Sequence, residues 1–199
     1  PARCAEARRL GRVLAVLLPA EPEVQGLLAL MELQSSRLAA RTTPDGALVP
    51  LTEQHRGRWD RLLIHRGLAA LARAEALGGA EGPYALQAAL AACHARAPTA
   101  AATDWRRIAE LYDRLLAVLP SPVVALNRAV AHSMAFGPEA GLRLLAELAP
   151  APLAAYAPLP AARGDFLFRA GRLAEARAAF EQAAALSRNA PERAFLLRR

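Results

Sequence analysis

The sequence predicts an all-α fold built from antiparallel helix hairpins. Alanine, leucine and arginine dominate the chain and are strong helix formers, whereas β-branched and aromatic residues are sparse. Apolar residues recur at spacings of three and four, the period of a helix with one apolar face. Short proline- or glycine-containing breaks interrupt this pattern, and such short connections favour antiparallel neighbours.

The first hairpin is predicted on either side of the break from Pro19 to Pro22. Proline stops one helix and suits the first turn of the next. Two apolar repeats flank this break, one formed by Leu10, Val13, Leu14 and Leu17, the other by Leu27, Leu30 and Met31. They predict two amphipathic helices.

Residues 41–51 form the one irregular stretch, where a Pro-Asp-Gly turn could support a short hairpin. We expect any β structure to be confined to residues 42–51. A short helix near Thr52–Arg56 and a longer one from Trp59 to Leu77 should follow. The predicted organisation is an N-terminal helical subdomain over residues 1–81 and a helix-pair array over residues 82–199, joined as one continuous module.

A repeat is visible in the second half. Gly137 and Gly171 are 34 positions apart, the period of tetratricopeptide (TPR) repeats, and a Glu-Ala helix start follows each. The last unit matches best, with small or aromatic residues at Gly164, Gly171, Ala176, Phe180 and Ala183. Steps of 34 back from Phe180 reach Ala146 and then Tyr112, so the repeat is degenerate, and the neighbouring Leu145 indicates a slip in register. We expect a TPR-like α-solenoid with pairs at 83–119, 122–149 and 152–187, then a capping helix from Ala190 to Arg199.

The formal charge is +7, and every basic residue is arginine. Many arginines lie close to an acid, as in Glu6/Arg9, Asp113 with Arg114, and Glu175/Arg177, which indicates solvated faces with weak pairs. An arginine-lined solenoid that binds nucleic acid is the alternative, and it requires arginines aligned at the repeat period. That alignment is poor, because the positions 34 on from Arg106, Arg107 and Arg114 are Ala140, Gly141 and Leu148.

Metal, cofactor and catalytic sites are not expected. The histidines, at positions 55, 65, 94 and 132, fall on separate predicted segments, and adjacent Cys93 and His94 point in different directions on a helix. The glycines of residues 77–83 lack the strand and the Lys-Ser/Thr of a phosphate loop, and no serine has a nucleophile-elbow context. Two distant cysteines, the lack of a membrane-length apolar run and the lack of a signal peptide predict a cytoplasmic location. Because the chain does not begin with methionine, we expect a fragment of a longer protein.

Six polar and aromatic residues near predicted helix starts are candidates for an interaction surface: Arg58, Trp59, Tyr84, Trp105, Asn127 and Arg128. Trp, Tyr and Arg dominate the energetics of protein interfaces. The structural interpretation is that Asp or Thr caps a helix while the tryptophan covers an apolar seam. For Asn127 and Arg128 it is an ordinary exposed turn.

Several of these residues lie in runs that resemble the C-terminal extension of a subgroup of extracytoplasmic-function (ECF) RNA polymerase sigma factors. The runs are Arg58-Trp59-Asp60, residues 82–89, residues 92–95, Thr103-Asp-Trp105, Leu111-Tyr-Asp113 and Pro120-Ser-Pro-Val-Val-Ala-Leu-Asn-Arg-Ala-Val-Ala131. The resemblance covers the chain from Cys4 onward, and the last run is the most specific because it is long and ungapped.

The resemblance implies a bacterial, non-enzymatic, TPR-like domain that regulates the sigma factor to which it is attached. The implied partners are the factor's own sigma domains, core RNA polymerase or an unidentified regulatory protein or peptide, and a generic TPR-like adaptor remains an alternative. Promoter DNA would be contacted only through sigma domains, which these residues do not contain. A stacked helix-pair array suits such a role because it forms a rigid concave surface.

Overall fold

The computed structural model describes residues 2–44, 46–148, 153–187 and residue 193, and within them the fold is all-α, as predicted. The helices are α1 (Ala2–Leu17), α2 (Pro22–Ser36), α3 (Arg61–Ala76), α4 (Pro83–Arg96), α5 (Trp105–Val118), α6 (Pro122–Phe136), α7 (Pro138–Ala146), α8 (Pro158–Arg169) and α9 (Leu173–Leu186). The described part of the chain contains no strand. An isolated antiparallel bridge joins Thr42 to Leu48, inside the stretch predicted to hold any β structure.

The chain divides into two compact units, Pro1–Leu119 and Pro120–Arg199. The division falls after Leu119, not after residue 81 as the sequence suggested. The difference arises because α4 packs on α2 and α5 packs on α4. The helix pair predicted at 83–119 is therefore part of the first unit and does not begin the array.

In the first unit, α2 is the central helix and packs against α1, α3 and α4. Alanines and leucines from α2, α3 and α4 form most of the core, among them Ala29, Leu33 and Leu71. Gly26 allows α4 to approach closely, because a Cβ added there would lie 2.7 Å from the backbone nitrogen of Ala85. The small residues of α2 thus set how tightly the unit packs.

The segment between α2 and α3 is irregular, and three short 3-10 turns cover Leu38–Ala40, Leu51–Glu53 and Arg56–Arg58. The helix predicted near Thr52–Arg56 is therefore two separate turns. The long helix begins at Arg61, not Trp59, because the Asp60 carboxylate caps it and accepts hydrogen bonds from the backbone N–H groups of residues 62 and 63. Asp104 caps α5 in the same way, through the N–H of Arg107.

The second unit contains the α6–α7 and α8–α9 hairpins, as the repeat predicted. Gly137 and Gly171 occupy equivalent turns with positive φ angles of 95° and 78°, a conformation that suits glycine. The part of the turn after the glycine is one residue shorter in the first hairpin, because α7 begins directly after Gly137 whereas α9 begins two residues after Gly171.

This shorter turn explains the register slip. Gly141 and Leu145 in α7 stand where Ala176 and Phe180 stand in α9, at a spacing of 35 instead of 34. Leu145 is half-buried whereas Ala146 is exposed, which agrees with the shifted position. The end of the pair predicted at 122–149 and the start of the pair predicted at 152–187 lie outside the described residues. The predicted capping helix Ala190–Arg199 also lies outside them, apart from residue 193.

Candidate interaction surface

An apolar stripe of α1 is exposed to solvent. We call Leu10, Val13, Leu14 and Leu17 the α1 stripe. Leu10 is 54% exposed, Val13 46% and Leu17 69%. These are the residues whose spacing predicted an amphipathic helix, and such a helix normally buries its apolar face. Here that face is on the outside of the unit.

The opposite side of α1 is fixed to α2 by small residues and one ion pair. A Cβ on Gly11 would lie 2.9 Å from the sulfur of Met31, so the two helices are in close contact at this point. Arg12 Nε donates to Glu32 Oε1 at 2.7 Å, and the Glu32 side chain is only 2% exposed. Through Arg12, α1 keeps a defined orientation that leaves its apolar stripe outward.

Trp59 belongs to the core and is unavailable to a partner. It is 4% exposed and packs in the same apolar cluster as Leu33 and Ala40. The Arg56 guanidinium carbon lies 4.2 Å from the centroid of its ring, within cation–π distance. The structure therefore corrects the expectation that Trp59 is a surface anchor. Its neighbour Arg58 is exposed.

Tyr84 and Trp105 remain accessible. Tyr84 is 41% exposed in the first turn of α4, and its backbone N–H donates to Glu23 Oε2 at 3.0 Å. Trp105 is half-buried and meets His94 edge to face, with ring centroids 5.4 Å apart. Trp105 also follows the capping Asp104, so this half-buried side chain combines a place beside the helix cap with partial accessibility.

Asn127 and Arg128 lie on α6, in the second unit. Asn127 is exposed and Arg128 is half-buried, whereas their neighbours Leu126 and Ala129 are buried. This pair therefore occupies an accessible position on its helix. The other candidates all belong to the first unit.

Three arginines of the first unit form a group that we call the arginine cluster: Arg37, Arg41 and Arg56. Arg37 and Arg41 both donate to Oε1 of Gln34, at 2.6 and 3.0 Å. Arg56 donates to the backbone oxygen of His94 and, at 3.5 Å, to Thr103 Oγ1. The cluster thus ties the irregular segment to both α2 and α4.

Burial and the positive charges of neighbouring arginines lower several pKa values in this region. Burial lowers the pKa of Arg37 to about 10, and the nearby charges of Arg41 and Arg56 add to the effect. Burial lowers the pKa of Arg56 as well. His94 has its pKa lowered to about 4, by burial first and then by Arg56 and Arg37. His94 is therefore neutral at physiological pH.

Most ion pairs among the described residues join an arginine to a carboxylate three or four positions away in the sequence. The predicted Glu6/Arg9 pair is confirmed, at 2.7 Å. Glu175 instead pairs with Arg172, because residues two apart on a helix do not face each other, which makes the predicted Glu175/Arg177 pairing wrong. The remaining local pairs are Arg107–Glu110, Arg169–Asp165 and Arg177–Glu181, whereas Arg114 of α5 pairs with Glu81 between α3 and α4.

Among the described residues, no group of three or more His, Cys, Asp or Glu side chains could hold a metal ion. Cys4 is exposed and Cys93 half-buried, and both are free thiols; burial raises the pKa of Cys93. Of the helices in the described ranges, none is long and apolar enough to cross a membrane.

The α1 stripe and the arginine cluster were not among the sequence candidates. The stripe residues were recognised only as one side of a predicted hairpin. Arg56 is distant in sequence from Arg37 and Arg41, and the irregular segment brings them together. A run of arginines flanking a segment with poor helix signals is the one sequence feature that could have pointed to the cluster.

Fold and surface together define an all-α protein of paired helices with accessible apolar and cationic features. Residues 1–75 match the family described as "Family of unknown function (DUF6596)". An uncharacterized protein of Rhizobium meliloti (strain 1021) is 47% identical over 193 residues, which is 97% of this chain and 45% of that relative. The chain thus spans less than half the length of the relative. No solved structure matches it.

Proposed function

We propose that this chain is a regulatory, non-enzymatic protein-interaction domain of an ECF-type RNA polymerase sigma factor. The observation that carries the proposal is the exposed α1 stripe, with Leu17 at 69% exposure. Exposed apolar patches of this kind mark interaction sites. The resemblance of the polar runs to sigma-factor extensions supplies the class of protein.

The occupant proposed for the α1 stripe is the sigma region of the same polypeptide. Two observations support this choice. The Rhizobium meliloti relative continues well beyond the matched part, because the match covers 45% of its length. In addition, α1 is the N-terminal helix of the compact unit, so an upstream region would be attached beside the stripe.

Contact through the stripe would control how the sigma region engages core polymerase. A domain that packs on the sigma region in one state and releases it in another shifts the population of the active state. Each fully buried Leu or Val contributes about 1.5–3 kcal/mol, so a few stripe residues suffice to bias such an equilibrium. Core RNA polymerase is the second proposed partner, and the cytoplasm is the proposed location.

A transcription assay tests the proposal. The full-length protein would be combined with core polymerase and a promoter that it recognises, as wild type and as Leu10→Gln/Leu17→Gln. Glutamine keeps helix propensity close to that of leucine, so the double variant should melt as wild type does. We expect its transcript level to change several-fold in either direction.

The matched control is Leu62→Gln, because Leu62 is 55% exposed on a different helix, α3. It should leave transcription unchanged. Wild-type transcription by a normally folded Leu10→Gln/Leu17→Gln variant would exclude the stripe as the regulatory contact. Failure of the full-length protein to support any promoter-dependent transcription with core polymerase would reject the sigma-factor assignment itself.

A further inference from the structure

The arginine cluster is positively charged. Within the described part of the chain, Arg37, Arg41 and Arg56 form no ion pair. Their hydrogen-bond acceptors are neutral: the side chain and backbone of Gln34, the backbone oxygen of His94 and the Thr103 hydroxyl. This differs from the local ion pairs formed elsewhere by Arg9, Arg107 and Arg172.

The packing of the first unit holds the three guanidinium groups close together. Arg37 and Arg41 approach each other because one oxygen of Gln34 accepts from both, at 2.6 and 3.0 Å. Arg56 belongs to the short turn that packs against the Leu38–Ala40 turn, and its guanidinium stacks on the buried ring of Trp59. All three arginines are half-buried, so solvent screens their repulsion less than it would at an open surface.

The geometry around Gln34 is suited to a carboxylate. A guanidinium fork matches the two oxygens of a carboxylate, and hydrogen bonds between charged partners are about twice as strong as neutral ones. The Gln34 amide has the shape of a carboxylate but carries no charge. It occupies the position between Arg37 and Arg41 where a negative group would be stabilised most.

We propose that Arg37, Arg41 and Arg56 form a receptor for the carboxylate of an aspartate or glutamate on a protein partner. The incoming carboxylate takes the place of the half-buried Gln34 amide between Arg37 and Arg41, and Arg56 adds a third positive charge. A compact group of three cations fits one side chain. A nucleic acid would instead require cations spread along its backbone. This inference names a second contact and does not depend on the α1 stripe or on the sigma-factor assignment.

The test uses the full chain and two peptides, one of alternating Glu and Ala and a matched one of alternating Gln and Ala. Calorimetry measures binding of each peptide, and NMR of the arginine side chains locates it. The Glu peptide should bind and shift the Arg37, Arg41 and Arg56 signals, whereas the Gln peptide should not. Arg41→Gln should weaken binding about tenfold or more, the effect of losing one charge-assisted hydrogen bond. Arg61→Gln, at an exposed arginine with the same charge change, should not weaken it.

Gln34→Glu provides the most specific variant, because it places an internal carboxylate between Arg37 and Arg41. It should raise the melting temperature and weaken binding of the Glu peptide about tenfold or more. No binding of the Glu peptide to wild type, wild-type affinity in Arg41→Gln or Gln34→Glu, or an unchanged melting temperature in Gln34→Glu would each overturn the proposal. Stronger binding at these arginines by a single-stranded DNA of equal charge would also overturn it, in favour of nucleic acid.

Discussion

The ring of Phe180 lies directly against Gly164, so a Cβ added to residue 164 would be 2.9 Å from two ring atoms. This contact joins α8 to α9 in the last hairpin. The ring is held in place because Phe180 is buried with Leu167 and Ala176 in the core of the second unit. Glycine at position 164 therefore determines how closely the two helices approach.

Gly164→Ala should destabilise the second unit. The alanine methyl group would overpack the α8–α9 contact, at a cost of about 1–3 kcal/mol, which exceeds the gain of roughly 0.5–1 kcal/mol from better helix propensity. Urea unfolding measures the difference. Adding Phe180→Leu should recover part of the loss because a smaller side chain leaves room. A Gly164→Ala variant that is more stable than wild type would show that the helices can separate without cost.

Arg12→Gln should destabilise the first unit, because it leaves the buried Glu32 carboxylate without its partner. The free energy of unfolding should fall by roughly 2–3 kcal/mol. Breaking a fully buried pair costs about 3–5 kcal/mol, and the loss here is smaller because the Arg12 side chain is 42% exposed. Thermal unfolding of Arg12→Gln, Glu32→Gln and the double variant gives the coupling free energy between the two side chains. The double variant should lose less than the sum of the two single losses. Strict additivity would mean that the pair does not couple α1 to α2.

The stability of the first unit should fall in mild acid because of His94. Its pKa is about 4 in the folded chain, against an ordinary value of about 6.5, so between these values the unfolded chain binds the proton more tightly. Stability is therefore highest above pH 6.5 and falls as the pH drops toward 4. Denaturant titrations from pH 7 to 4 should show wild type losing up to about 3 kcal/mol more than His94→Gln.

The control for this pH effect is His55→Gln, because His55 is exposed. It should keep the acid sensitivity of wild type. Parallel pH profiles for wild type and His94→Gln would show that burial and the two arginines do not hold His94 neutral. The substitution at position 94 should keep the hydrogen bond from Arg56, since its acceptor is the main-chain oxygen of His94.

The helices and the C-terminal hairpins could be predicted from the sequence because local propensity and the glycine repeat specify them. Other features depended on tertiary packing. The α1 stripe has the spacing of a buried face, yet Gly11 and the Arg12–Glu32 pair orient the opposite side toward α2. Trp59 resembled an interface anchor, but the irregular segment folds its ring into the core. Periodicity shows that a helix has an apolar side and does not show which partner covers it.

The candidate surface was predictable only in part for the same reason. Tyr84, Trp105, Asn127 and the exposed Arg58 are accessible, as a surface role requires. Arginines flank the irregular segment in the sequence, but their meeting in one cluster could not be derived, because sequence patterns carry little positional information for such a segment. The domain boundary after Leu119 likewise follows from the packing of α4 on α2.

Asn127→Ala/Arg128→Ala should alter transcription by the full-length protein without changing its fold. Asn127 is exposed and Arg128 half-buried on α6, so their truncation leaves the buried neighbours Leu126 and Ala129 in place. Promoter-driven transcription with core polymerase, compared after a matched melting experiment, measures the effect. A folded variant with undiminished and still regulated transcription would remove this pair from the proposed surface.

Site-specific photocrosslinking from the α1 stripe tests the central proposal most directly. A benzoylphenylalanine at position 13, where Val13 is 46% exposed, would be introduced into the full-length protein, with position 62 on α3 as the matched control. Mass spectrometry would then identify the crosslinked peptides. We expect position 13, and not position 62, to crosslink to the sigma region of the same polypeptide. Crosslinks from position 13 that match those from position 62, or that join only second copies of this domain, would contradict the proposed regulatory contact.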